Sequence, residues 1–238
     1  MRLGTSGPGP ARRPRLEPVR GGPADPASVV LVLHGGRAVS HEPAGRRRRL
    51  AYLRMLPFAR MLSSAGPTVY LLHYRYRGWN APAMDAVVDT RWALDEIGRR
   101  HPRSRTALLG HSMGGRAALR AADAPNVVAV CALAPWLDGS DPVEQLSGRS
   151  VLIAHGDLER WTDPRESYAY AVRAKQVTGR TCRFEVLGDG HAMVRRPAEW
   201  NALVRRFLLG ELGLAPEDPR IREAMRRPAP HGLAVRAG

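Results

Sequence analysis

The chain has 238 residues, enough for one α/β domain with a substantial core, and no stretch approaches the ~18 apolar residues that a bilayer-spanning helix needs. Its 37 Lys and Arg residues outnumber 22 Asp and Glu for a formal charge of +15, yet Lys175 is the only lysine and Ala, Gly and Pro abound. That bias reads as overall composition and solvated arginine rather than as a phosphate-binding patch, so neither a membrane nor a nucleic acid is an expected partner.

Residues 1–27 are crowded with Pro, Gly and Arg and read as a disordered tail, with Arg12, Arg13, Arg15 and Arg20 carrying part of the charge. They hold no apolar run of signal-peptide type, which makes the cytoplasm the expected compartment. Nearly continuous apolar runs follow at 28–34, 68–74, 106–110, 126–133, 150–155 and 182–187. Runs of this kind are what parallel strands covered on both faces require. Helix-like stretches lie between or after them near 47–63, 82–100, 113–123, 164–178 and 197–209. Pro57 is expected to break or kink the first, which opens on the basic run Arg46–Arg49. In the last, Trp200, Leu203, Val204, Phe207 and Leu208 recur at helical spacing. Residues 211–238 hold few aliphatics and read as an irregular or partly helical basic tail. The alternation predicts one α/β domain over 28–210, with a mostly parallel sheet of about six strands and helices on both faces. Cys131 and Cys182 have no metal or redox spacing and read as free thiols. No metal cluster, phosphate-cradling loop or nucleotide fingerprint is apparent.

Chemistry concentrates at strand ends. The run at 106–110 ends in Gly110-His111-Ser112-Met113-Gly114-Gly115, a serine between glycines where a strand becomes a helix. A nucleophile there is held in a strained backbone, and small neighbours let strand and helix approach. The helix that follows aims its first amides at the reaction centre, where a developing oxyanion needs donors. Upstream, Val29-Val30-Leu31-Val32-Leu33-His34-Gly35-Gly36 ends a strand in two glycines. Downstream, Gly188-Asp189-Gly190-His191 puts a histidine on the loop before the final helix.

On the motifs LVLHGG, GHSMGG and GDGHAM, residues 28–210 resemble the α/β-hydrolase family, specifically its small members without a sizeable cap. The resemblance implies that Ser112 is the nucleophile, His191 the general base, and the amides of Gly36 and Met113 the oxyanion hole. Its acid loop matches Leu152 to Pro164; the usual acid position holds Glu159 where aspartate is commoner, and Asp157 is the alternative. Asp163, before Pro164, reads as a helix cap. His34 and His155 read as structural, and His111 as part of the site floor. Trp79, Trp136 and Trp161 each follow a strand and are expected at the rim as apolar walls for substrate, with Arg37 a candidate anion reader. Only residues 134–149 join two strands where larger relatives insert a lid, which favours small soluble substrates. The expected activity is cleavage of a carboxylic ester or related acyl bond through an acyl-enzyme, with no cofactor, by a monomer or homodimer. The alternative is a catalytically weak relative that binds an acidic partner.

Overall fold

The computed structural model describes residues 12–19, 26–44 and 50–237. The basic run Arg46–Arg49 and Arg20 lie outside these residues. The strands are β1 (Arg15–Pro18), β2 (Ser28–Leu33), β3 (Thr68–His73), β4 (Arg105–His111), β5 (Val127–Leu133), β6 (Ser150–Gly156), β7 (Thr181–Val186) and β8 (Val235–Ala237). The helices are α1 (Leu50–Ser63), α2 (Asp85–Arg100), α3 (Met113–Arg120), α4 (Pro164–Val177), α5 (Pro197–Glu211) and α6 (Pro219–Arg226). The strands form one sheet in the order β1-β3-β2-β4-β5-β6-β7-β8, parallel throughout except for β1.

Side-chain alternation along each buried strand divides the core in two. In β2, Val29, Leu31 and Leu33 join a cluster with Ala93, Ile97, Ala117 and Tyr170 of α2, α3 and α4. Val30 and Val32 face the other way, toward Met55, Phe58, Trp200, Phe207 and Ile221 of α1, α5 and α6. Helices therefore cover both faces, three on each. Cys131 and Cys182 are buried and unpaired. Among the described residues no helix is long and apolar enough to cross a membrane.

The six expected strands form the centre of the sheet, and the flanking segments supply the other two. Residues 15–18 of the expected N-terminal tail pair with β3, burying Leu16, and residues 235–237 of the expected C-terminal tail pair with β7. Both are short, which suits an edge: a brief strand covers the open backbone of its neighbour while offering little new template itself. Helix α6 starts with Asp218 accepting from the amides of Arg220 and Ile221, and it packs Ile221, Ala224 and Met225 on the core. Helix α1 runs through Pro57 unbroken. The carbonyl that loses its partner there belongs to Leu53, and both residues lie on the exposed face, where the carbonyl is open to solvent.

Candidate active site

Strands β2, β4, β6 and β7 run parallel, so the loops that follow them gather at one edge of the sheet. Four sequence motifs meet there. Ser112 stands between β4 and α3 with φ 55° and ψ −119°, a conformation that L side chains rarely adopt. Its amide donates to Leu133 O at 3.0 Å, and its carbonyl accepts from the amides of Arg116 at 3.1 Å and Trp136 at 3.2 Å. Those bonds fix the strained turn. The tight approach demands Gly114, where a Cβ would stand 2.4 Å from Leu33 O. Met113 opens α3, so its N–H has no carbonyl one turn back to bind.

The loop after β2 lies against this turn. A Cβ on Gly35 would be 3.3 Å from Ser112 Cβ, and one on Gly36 would be 2.4 Å from Met113 Sδ. Gly36 thus packs against the Met113 side chain. Arg37 donates its amide to Arg77 O at 2.9 Å, and its own carbonyl accepts from Trp79 N at 2.8 Å. The backbone of Arg37 therefore stitches this loop to the one after β3.

From the loop after β7, His191 donates Nδ1–H to Glu159 Oε2 at 2.8 Å. Glu159 Oε1 accepts from the amides of Arg160 at 2.8 Å, Trp161 at 2.7 Å and Thr162 at 3.3 Å. The Glu159 side chain is 0% exposed. Burial alone would push its pKa up, but the bonds from His191 and from the amides of Trp161 and Thr162, with the His191 charge, outweigh it and hold the carboxyl at about 2. Glu159 is therefore the carboxylate on the histidine. Asp157 is exposed and points elsewhere, accepting from Gly188 N at 2.7 Å.

The histidine meets the serine's neighbour. His111 Nε2–H donates to His191 O at 3.0 Å, and the two rings lie 4.6 Å apart. His111 Nδ1 is buried without a hydrogen-bond partner among the described residues. Burial first, then the nearby His191 and Arg54 charges, hold its pKa well below the ordinary histidine value, so it is a neutral floor. His155 is likewise buried, bonded to Thr162 Oγ1 at 3.1 Å and Ser167 Oγ at 2.9 Å, with its pKa driven down to about 3 by burial and then by Arg183. His34 is buried too, donating Nδ1–H to Gly35 O at 2.7 Å and lying edge-on to Tyr74. Asp163 caps α4, accepting from Arg165 N at 2.8 Å.

The three tryptophans separate. Trp161 is 82% exposed and stacks on the His191 ring, 5.5 Å between centroids at 14°. Trp79 is 3% exposed and belongs to the core, not the rim. It and the half-buried Trp136 clasp the Arg116 guanidinium of α3, 4.6 Å and 4.9 Å from the ring centroids. Arg116 also donates Nε–H to Asp141 Oδ1 at 2.9 Å, which Arg120 Nε–H joins at 2.6 Å. Flat aromatic faces satisfy the two sides of a buried cation while the carboxylate takes its edge, so these rings anchor the helix behind Ser112.

One residue of the site carries no signal of its own in the sequence. Asp189, 2% exposed, accepts from Gly190 N at 2.8 Å through Oδ1. Its Oδ2 takes Arg195 N at 3.1 Å, Arg196 N at 2.9 Å and Trp200 Nε1 at 3.0 Å. It ties the histidine loop to the start of α5 and to a core tryptophan. Its place in GDGHAM, two residues before His191, is the signal that could have found it.

Comparisons with known proteins agree with this fold. A model described as the alpha/beta hydrolase family matches residues 29–237. No curated protein sequence matches the chain. Among solved structures, an alpha-beta serine hydrolase homologue from Coxiella burnetii superposes with TM-score 0.62 at 16% identity, covering 82% of this chain and 90% of that one. An esterase from Pyrococcus furiosus gives 0.60 at 15%, covering 77% and 80%. A serine hydrolase without a lid from Xanthomonas campestris gives 0.59 at 22%, covering 82% and 88%. At such identities the likeness is one of fold.

Proposed function

The chain belongs to the alpha/beta hydrolase family, and on that premise we propose that it is a serine hydrolase which cleaves a carboxylic ester through an acyl-enzyme, with Ser112, His191 and Glu159 as its triad. The observation that carries the reading is the Glu159–His191 bond at 2.8 Å. A carboxylate that accepts Nδ1–H leaves Nε2 unprotonated, the tautomer a general base needs. The strained turn at Ser112 follows His111, whose ring lies 4.6 Å from that of His191, which supports Ser112 as the nucleophile that this histidine serves.

In acylation, Ser112 Oγ bonds to the ester carbonyl carbon while its proton passes to His191 Nε2. The carbonyl oxygen becomes an oxyanion that the Gly36 and Met113 amides stabilise, each donor contributing about 3 kcal/mol. The carbon–oxygen bond to the alcohol then breaks as the imidazolium returns the proton to the leaving oxygen. Water repeats the sequence on the acyl-enzyme and releases the acid. Glu159 stabilises the imidazolium without taking its proton, and a carboxyl held at about 2 is well suited to stay charged throughout.

The reading of a weakly active binding relative drew on glutamate standing where aspartate is commoner, and the Glu159–His191 bond counts against it. The partner proposed is thus a small acyl substrate, met in the cytoplasm, where two unpaired buried thiols are at home. Intact-mass measurement after fluorophosphonate treatment tests the proposal. Wild type should take a single label, and Ser112→Ala and His191→Ala should take none; a folded wild type that stays unlabelled refutes it.

A further inference from the structure

A cavity of about 450 Å³ opens beside His191, and its walls include Arg54, Arg160, Trp161, Val194 and Arg195. Many of the structure's arginines are paired, among them Arg75 with Asp85 and Asp89, Arg116 and Arg120 with Asp141, Arg180 with Glu211 and Glu217, and Arg183 with Glu185. Others, such as Arg13, Arg37 and Arg205, stand exposed on the surface. What sets Arg54, Arg160 and Arg195 apart is that they converge on one cavity beside His191. The side chains of Arg54, Arg160 and Arg195 have no ion pair or hydrogen bond among the described residues. The carboxylate in the wall, Asp189, is not available to them, because its oxygens are taken by three backbone amides and the Trp200 indole. Arg54 is half-buried, and desolvation lowers its guanidinium pKa. A partly desolvated cation gains from any anion that enters.

The position relative to the chemistry decides which part of a substrate that anion belongs to. The imidazole that takes the serine proton hands it to the leaving oxygen, so that oxygen lies within roughly 3 Å of His191 Nε2. In the proposed mechanism the acyl carbonyl is held instead by the Gly36 and Met113 amides. The cavity is lined by His191 and by neither Ser112 nor the glycine loop, so it adjoins the histidine's side of the reaction centre, the side from which the alcohol portion departs.

We infer that the natural substrate is an acyl ester whose leaving alcohol carries an anionic group, a carboxylate or a phosphate, bound by Arg54, Arg160 and Arg195. This rests on the hydrolase reading above. It differs from a general attraction to anions, since it ties the charge to one side of the scissile bond.

The test compares kcat/KM for 4-carboxyphenyl butyrate and its 4-carbamoyl counterpart, each corrected for its spontaneous hydrolysis. A second pair, the butyryl ester of ethylene glycol with and without a phosphate on the other hydroxyl, separates a carboxylate preference from a phosphate one. Wild type should favour the anionic member of at least one pair by about tenfold at low salt. The preference should shrink about fivefold in Arg160→Gln and in Arg195→Gln, through KM, and should also fall as ionic strength rises. Both arginines are solvent-exposed, so these variants should fold even if Arg54→Gln does not. Hydrolysis of the neutral esters with no anionic preference, or a preference that neither substitution moves, overturns the inference while leaving the hydrolase standing. Failure to cleave any ester, with no fluorophosphonate label on Ser112, overturns both.

Discussion

Replacing Glu159 with Gln tests the assignment of the acid. Glu159 Oε1 accepts three amides and Oε2 accepts His191 Nδ1–H, so the amide of glutamine must turn its oxygen toward one set and its NH₂ toward the other. The three-amide side requires an acceptor, which leaves NH₂ facing the histidine. A donor there draws the lone pair to Nδ1 and the proton to Nε2, the wrong tautomer for accepting from Ser112. Holding the carboxyl at about 2 instead of 4.5 corresponds to at most about 3 kcal/mol in favour of the anion, and about 2 after allowance for solvent near the exposed Trp161. That bounds the loss of stability. The loss of activity should be far larger, about 10³- to 10⁴-fold in kcat/KM on a short-chain ester, with KM little changed. Asp157→Asn is the matched control: the exposed side chain keeps an acceptor for Gly188 N, and activity should stay within about twofold. Steady-state kinetics and the rate of fluorophosphonate labelling read both. Glu159→Gln with activity within about tenfold of wild type, or Asp157→Asn without activity, would refute the assignment.

Three further expectations rest on the same region. His155, with a folded pKa of about 3, and His111, held well below 6.5, stay neutral when folded, whereas the unfolded chain binds both protons from about pH 6.5 downward. Stability therefore falls as pH falls: His155 alone accounts for about 1.4 kcal/mol between pH 8 and pH 5.5, His111 adds to the loss in the same direction, and a urea midpoint that does not move over that range contradicts it. Asp189→Asn withdraws an anionic acceptor from two amides and the Trp200 indole, so it should cost about 2 kcal/mol and lower kcat/KM at least tenfold. An unchanged melting temperature rules that out. Gly36→Ala puts a Cβ 2.3 Å from Arg77 O and 2.4 Å from Met113 Sδ, displacing the loop from Ser112; kcat should drop about 10²-fold, and wild-type turnover would show that Gly36 has no part in the oxyanion site.

The parts of this molecule that were legible in its sequence are those whose physics is local. A serine between glycines at a strand end, a histidine on the last loop and a carboxylate at the right place in the acid loop all carry their reason within a few residues. The edge strands are different. Arg15–Pro18 and Val235–Ala237 bury little, sit among Pro, Gly and Arg, and become strands only because β3 and β7 have open edges to offer. Trp79 and Trp136 could not be sorted from Trp161 by position either, since each follows a strand. What decides is the buried Arg116, whose pairing with Asp141 comes from a segment far along the chain. Asp189 was hidden for a related reason: its work is to receive backbone amides, and backbone donors leave no mark in a sequence.

The order in which the strands lie also allows an order in time. From β4 onward each new strand docks on the edge laid down by the one before, so this half of the sheet can grow in the direction of synthesis. The serine turn is finished with β4, β5 and the segment carrying Asp141; the glutamate follows β6, and the histidine follows β7. On the proposed mechanism, a chain caught partway would hold Ser112 with nothing to take its proton. Hydrolytic power would then appear late and abruptly, when the loop after β7 settles, and recovery of activity during refolding would time the completion of the C-terminal half.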